Sequence, residues 1–124
     1  MGKMRRKSMK IRQIIKETRV AGHTPRIEKL QKIHEGVFVL KLDGTNRARA
    51  QALYRLRQSG FAVNSDPRNR TAVVITKKSI PVKGLEKWTA PGGKTFYFKQ
   101  KSNVRVMLWK FRDRWYGKLK LPRI

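Results

Sequence analysis

The chain has 124 residues, with 32 Lys and Arg against 7 Asp and Glu and a formal net charge of +25. This length favours one domain, and the lack of cysteine excludes a disulfide framework and thiolate metal sites. No apolar run approaches the roughly 18 residues of a membrane span. The charge indicates a polyanionic partner, nucleic acid ahead of an acidic membrane surface.

The N-terminal residues 1–20 are predicted to form a flexible basic arm. The start, MGKMRRKSMKIRQ, lacks the apolar stretch of a secretory signal, so a cytoplasmic or nucleoid-associated location is expected. Ile11, Ile14 and Ile15 have helical spacing, but the stretch is short enough to order only on binding. Three basic residues of the arm are candidate nucleic-acid contacts: Arg5, Arg6 and Lys7.

Residues 21–78 are predicted to form a nucleic-acid-binding core that begins with a helix. Thr24 followed by Pro25 is a favourable helix start. In RIEKLQKIHE, three apolar residues at helical spacing continue that helix, and Gly36 ends it. These residues are Ile27, Leu30 and Ile33.

The next two elements are a buried strand and the best-specified helix of the chain. GVFVLKL, residues 36–42, is apolar on both faces apart from Lys41, which is typical of a strand covered on both sides. Thr45 or Asn46 is predicted to cap a helix over about 46–59 that ends at Gly60.

The polar side of this helix is a candidate binding surface. At 100° per residue its apolar side gathers Ala48, Ala52, Leu53 and Leu56. The opposite side combines residue types that reach base edges or phosphates, and an ordinary solvated face is the alternative. The candidate contacts there are Arg47, Gln51 and Arg55, with Gln58 beside them.

Two strands, Phe61–Asn64 and Thr71–Lys77, are predicted to flank a hairpin tip with the sequence NSDPRNR. Asp66-Pro67 suits a tight turn between apolar strands. Turn chemistry requires neither Arg68 nor Arg70, so we interpret the tip as a finger that contacts phosphates or a groove.

The stretch TNRARAQALYRLRQSGFAVNSDPRNRTAVVITKK, residues 45–77 and the Lys that follows, resembles the recognition helix and wing of winged-helix repressors of the multiple-antibiotic-resistance family. The resemblance implies that the helix enters a major groove. It also implies that Arg70 enters the minor groove and that Asp66 braces the tip. The matching positions are Leu53, Leu56, Gly60, Phe61, Asp66, Pro67, Arg70, Ala72 and Val73 to Ile75.

The last part of the chain is predicted as a linker, residues 79–93, and a basic, aromatic β segment, residues 94–124. Eight of the 11 aromatic residues lie between Trp88 and Tyr116 and interleave with cations. A sheet of this kind either stacks single-stranded bases or uses its aromatics as a core and faces a duplex with its cations. The core interpretation is preferred, with Trp115 and Tyr116 as the most exposed aromatics. The candidate contacts are Lys99, Lys101, Arg105, Lys110, Arg112, Arg114 and Trp115.

Catalysis, metal binding and a cofactor are not expected. His23 and His34 have no acidic neighbour at metal-ligand spacing, and no paired carboxylates stand out. PGGK, residues 91–94, lacks the spacing of a phosphate-binding P-loop.

The predicted fold is α+β, with a small sheet, one central helix, a winged-helix-like hairpin, a C-terminal basic and aromatic β segment and a flexible basic N-terminal arm. The predicted function is non-enzymatic nucleic-acid binding by a small regulatory or architectural DNA-binding protein of phage or mobile-element type. The alternative is an RNA-binding structural protein such as a ribosomal protein. Duplex DNA is the favoured partner, RNA the second, and no membrane partner is expected.

Overall fold

The computed structural model describes residues 3–63 and 72–120 and has three layers: two helices, a first sheet and a second sheet. The helices are α1, Lys3–Lys16, and α2, Asn46–Gln58. The first sheet contains β1, Arg26–His34, β2, Val37–Asp43, β3, Ala62–Val63, and β4, Val73–Thr76, in the order β1-β2-β4-β3. The second sheet contains β5, Glu86–Thr89, β6, Thr95–Lys101, β7, Val104–Phe111, and β8, Arg114–Lys120, in sequence order. All neighbouring strands pair antiparallel.

The first sheet is the middle layer, and both of its faces are buried. Phe38 and Leu40 of β2 pack in one core with the two helices. Val37 and Val39 pack in a second core with residues of the second sheet. The prediction that residues 36–42 form a strand buried on both faces is confirmed, and Lys41 is its exposed side chain.

The N-terminal segment is a helix packed on the first sheet, so the predicted flexible arm is wrong. Ile11 and Ile15 are almost fully buried, and Ile14 is 8% exposed. Burial of these three side chains supplies the free energy that so short a helix lacks by itself. The side-chain hydroxyl of Thr18 donates to the carbonyl oxygen of Ile14 at 2.7 Å and closes the last turn.

The predicted helix over RIEKLQKIHE is wrong, because these residues form β1. The pairing of β1 with β2 shifts register between Ile27 and Lys29 and again between Lys32 and His34. Each shift breaks the alternation of a regular strand. Ile27 therefore packs in the core that contains the two helices, which we call the helix-side core, and Ile33 packs in the core between the two sheets. Their spacing nevertheless mimics a helix.

Helix α2 follows the prediction closely. Thr45 is its N-cap, and the side-chain oxygen of Thr45 accepts from the backbone N–H of Ala48 at 3.1 Å. Gly60 has a φ of 99°, a left-handed conformation suited to the residue after a helix. Arg49 is buried at the helix start, where its guanidinium donates to the side-chain oxygen of Asn46.

The predicted α+β fold with one central helix and a winged-helix-like hairpin is wrong. Two helices and two four-stranded antiparallel sheets occur within the described residues. The strands predicted around the hairpin do pair, Ala62 with Thr76 and Val63 with Ile75. However, β4 also pairs with β2, so it is a central strand of a larger sheet and not one side of an isolated wing. The hairpin tip itself, residues 64–71, lies outside the described residues.

The two sheets approach closely at Gly117 of β8. A Cβ atom there would lie 2.7 Å from Cδ2 of Leu108 and 2.7 Å from Cγ1 of Val74. Nearby, the buried hydroxyl of Thr76 donates to the carbonyl oxygen of Trp115 at 2.7 Å. The small size of Gly117 and the buried hydrogen bond from Thr76 therefore fix how β4 and β8 pack.

The second sheet begins inside the segment predicted as a linker, because residues 79–93 include β5. Ile80 of this segment is buried in the core between the sheets. Neither α1 nor α2, the helices of the described ranges, has the length and apolar character needed to cross a bilayer.

Candidate nucleic-acid interface

The second sheet has an inner face in the core and an outer face that lies outside both hydrophobic cores. Strand β7 shows the division, since Val106 and Leu108 are fully buried while Arg105 and Met107 are half-buried on the other side. We call the outer side chains the aromatic face: Trp88, Phe96, Phe98, Met107, Trp109, Phe111 and Tyr116.

A row of four aromatic side chains crosses this face. Trp88 of β5 pairs with Phe96 of β6, and Trp109 of β7 pairs with Tyr116 of β8. The ring centroids of the first pair lie 5.9 Å apart with planes at 29°, and those of the second lie 6.3 Å apart at 23°. Strand spacing makes the row about 14 Å long across four strands.

Cations border the aromatic face at both ends of its strands. At one end Arg105 of β7 is directly paired with Lys120 of β8. Lys118, two residues before Lys120 on the same strand, is paired with Met107. At the other end the guanidinium of Arg112 lies 5.3 Å from the ring centroid of Phe111. The aromatic row therefore lies between two positively charged borders.

Part of the aromatic face is an open depression of about 690 Å³. Trp88 is 52% exposed beside it, and Phe111, at the far end of β7, is 55% exposed. Large aromatic side chains so exposed are uncommon without a partner, and a contiguous group of them marks an interaction surface. The residues that line the depression are Glu86, Lys87, Trp88, Phe98, Arg105, Met107 and Lys120.

The predicted contacts on α2 divide into two kinds. Arg47 and Gln51 are exposed, and so is Tyr54 beside them, at 51%. Arg55 is instead half-buried, lies 3.7 Å from a carboxylate oxygen of Glu17, and donates to the hydroxyl of Thr18 at 3.5 Å. Arg55 thus connects α2 to the end of α1, and the outward face of α2 keeps Arg47 and Gln51.

Two predicted lysines of β6 do not point to the aromatic face. Lys99 donates from Nζ to the carbonyl oxygen of Gly84 at 3.3 Å, and Lys101 donates to that of Lys32 at 3.1 Å. These bonds tie β6 to a neighbouring loop and to β1. Lys110, also predicted, is exposed near the end of β7.

The expectation that Trp115 is among the most exposed aromatics is wrong. Trp115 is 6% exposed, and its ring meets that of Tyr97 edge to face at 5.3 Å in the core between the sheets. Tyr116, its neighbour, is half-buried on the aromatic face. Arg114 donates from its guanidinium to the carbonyl oxygen of Gly60 at 2.8 Å and so connects β8 to the end of α2.

Other predicted contacts fall outside what the structure describes. The side chains of Arg5, Arg6 and Lys7 are not described, although the backbone there belongs to α1. Arg68 and Arg70 lie in the undescribed range 64–71. The minor-groove role that the resemblance implies for Arg70 therefore stays a prediction.

Sequence reasoning missed the size of the aromatic face because it assigned most aromatics to the core. The signal was present in β7, where Val104, Val106 and Leu108 already supply an apolar side. The aromatic residues at the alternate positions are then surplus to that core. The site accordingly includes four residues that were not among the predicted contacts: Trp88, Phe111, Lys118 and Lys120.

The described acids lie beside basic side chains, five of them at 2.7 to 3.7 Å from a cation. These acids are Glu17, Glu28, Glu35, Asp43 and Glu86. Within residues 3–63 and 72–120, no three His, Asp or Glu side chains are grouped as a metal site would require. The side chain of His34 contacts the carbonyl oxygen of Pro81 at 2.7 Å.

The chain was compared with protein-family models, with curated proteins and with solved structures. None of the three comparisons gives a match. A function for this chain therefore rests on the geometry and charge of its own residues.

Proposed function

We propose that the chain is a non-enzymatic nucleic-acid-binding protein that holds the phosphate backbone through its surplus of cations. The observation that carries the proposal is the net charge of +25 on a fold whose described acids are mostly paired within the chain. That excess favours a polyanionic partner, because the cations repel one another and this repulsion opposes compaction. Binding to phosphates displaces condensed counterions, which favours association and makes it strongly dependent on salt.

Duplex DNA is the first candidate partner, as the sequence predicts, and α2 offers it a surface. Arg47 and Gln51 project from the exposed side of a capped, well-packed helix. Arginine and glutamine are residue types that contact phosphates and base edges. A small regulatory or architectural protein associated with a nucleoid is the role that follows from this partner.

A structural RNA-binding protein is the second candidate, and the aromatic face favours it. Folded RNA presents unpaired bases in loops and bulges, and proteins recognise such bases by stacking them on aromatic side chains. Trp88 and Phe111, each more than half exposed, are suited to that contact.

The proposal is tested by fluorescence anisotropy with duplex DNA, single-stranded DNA and a structured RNA of equal length. Salt is varied from about 50 to about 300 mM, and we expect a steep decrease of log K with log salt for every ligand that binds. Absence of binding to all three at about 0.15 M salt would overturn the proposal.

The contribution of α2 is measured with the double variant R47A/Q51A against R12A/Q13A on α1. Both variants remove one positive charge and one amide from exposed helix positions, so their overall electrostatic effect is matched. We expect R47A/Q51A to weaken duplex binding by about ten-fold and the control by much less. Equal losses would mean that α2 contributes only charge.

A further inference from the structure

We infer that the aromatic face is a stacking platform for unpaired bases and that its ligand is single-stranded nucleic acid. This inference rests on the proposed function and names the ligand form that the second sheet recognises. The ligand chemistry is a flexible phosphodiester chain whose base faces are free, whether the sugar is ribose or deoxyribose.

The arrangement of charge and aromatic surface supports a single strand that crosses the β-strands. The aromatic row runs across the sheet from Trp88 to Tyr116, and cations lie on both sides of it. A strand laid along the row would place bases over the rings and its phosphates near Lys118 and Lys120 or near Arg112. Stacking on aromatic side chains within a basic groove is how sequence-tolerant single-strand binders work.

The cations lie close enough to the rings to act with them. The guanidinium of Arg105 is 4.8 Å from the ring centroid of Phe98, and Nζ of Lys94 is 5.5 Å from that of Phe96. A cation near an aromatic ring is attracted to its face and remains able to pair with a phosphate. The aromatic face thus offers stacking and charge neutralisation within the same few ångströms.

A duplex does not suit this face. Bases in a duplex stack on one another, so they present only their edges in the grooves and leave no free surface for a ring. A duplex would use the cations and leave Trp88 and Phe111 exposed. An anionic membrane surface would use both cations and aromatics, and it is treated as a separate outcome of the test.

The test compares wild type with W88A/F111A on oligo(dT), oligo(U) and a duplex, each about 12 nucleotides long. Because both side chains are more than half exposed, the substitutions leave the core intact, which thermal unfolding checks. We expect a loss of roughly ten-fold to hundred-fold on single strands and less than about three-fold on the duplex. Val82→Ala, at another exposed large apolar residue but in the segment between β4 and β5, is the control and should leave single-strand affinity unchanged.

A conservative variant and a spectroscopic signal separate stacking from other effects. W88F/F111Y keeps both aromatic faces and should retain single-strand affinity within about three-fold. Quenching of tryptophan fluorescence by oligo(dT) should be weaker in W88F, because Trp88 is exposed while Trp109 is half-buried and Trp115 is buried in the core.

Three results would overturn the inference. W88A/F111A with unchanged single-strand affinity would do so while leaving the proposed function in place. Equal losses on duplex and single strands would do the same. If the protein binds phosphatidylserine vesicles in a way that depends on Trp88, and does not bind oligonucleotides, both the inference and the proposed function would be overturned. Binding to oligo(U) or to oligo(dT) that is lost in W88A/F111A supports the inference.

Discussion

The guanidinium of Arg105 lies over the ring of Phe98 and at the same time 3.6 Å from a carboxylate oxygen of Glu86. Arg105 is therefore shared between an aromatic ring and the one acid that lines the described depression. A phosphate that approaches this part of the aromatic face meets a cation that is already partly neutralised. Glu86 is largely exposed, so the pair contributes little to stability.

Neutralising this acid should strengthen binding. For Glu86→Gln we expect single-strand affinity to rise about two-fold to five-fold at low salt, with the gain shrinking as salt screens the charges. Glu28→Gln is the control, because Glu28 pairs with Lys41 at 3.2 Å on the first sheet and away from the aromatic face. Anisotropy titrations at two salt concentrations measure both variants. A similar gain in E28Q would show that only net charge matters.

The close approach at Gly117 should make even one added methyl group destabilising. We expect Gly117→Ala to lower the free energy of unfolding by about 1 to 3 kcal/mol, because its Cβ would overlap side chains of both sheets. Gly92→Ala is the matched control, since a Cβ there meets no heavy atom within 4 Å. Urea unfolding measures both. Equal stability of the two variants would contradict the packing of β8 on β4.

The burial of α1 predicts that the N-terminal segment contributes to stability without any ligand. We expect Ile15→Ala to cost about 2 to 5 kcal/mol, because Ile15 is 1% exposed in the helix-side core. Lys16→Ala changes the adjacent, exposed residue and should cost less than about 0.5 kcal/mol. Denaturant unfolding of the free protein distinguishes them. If I15A left the free energy of unfolding nearly unchanged, the N-terminal segment would instead be an arm that orders only on binding.

The pKa of Asp43 is lowered, first by the hydrogen bond from the side chain of Arg26 and second by that from the backbone N–H of Gly44. A lowered folded-state pKa stabilises the fold above the unfolded pKa of roughly 3.9, and this contribution disappears as pH falls through the folded-state value. We expect Arg26→Ala to raise the pKa of Asp43 toward its ordinary range. Carboxyl NMR titration measures it, with Arg19→Ala as the charge control. An unchanged pKa in R26A would contradict the pairing.

Local signals predicted α2 and β2 because each is specified by its own residues. Thr45 and Gly60 mark the ends of the helix, and the unbroken apolar run of β2 requires cover on both faces. By contrast, β1 was assigned to the wrong class because the register shift between Ile27 and Lys29 puts Ile27 and Ile33 in different cores. Such shifts depend on how β1 pairs with its partner strand, and the residues of β1 alone do not determine that pairing.

The candidate site was harder to predict because it depends on which side of a strand meets the core. Alternation in β7 separates the buried Val106 from the half-buried Met107, but it does not say how many aromatics the core needs. Trp115 and Tyr116 are neighbours with opposite surroundings, and only the position of the first sheet decides which is buried. The contacts of α2 were predicted in part, since Arg55 turns to Glu17 across the helix pair.

The middle position of the first sheet has a consequence for motion. Amide hydrogens of β2 and β4, covered on both sides, should exchange with solvent only when the whole chain unfolds, whereas those of the exposed edge strand β5 should exchange through local opening. Trp88 is part of that edge strand. A ligand on the aromatic face would therefore slow exchange in β5 by opposing local opening, even where no atom of the backbone changes position, and it would slow exchange in β2 only by raising the free energy of unfolding of the whole chain.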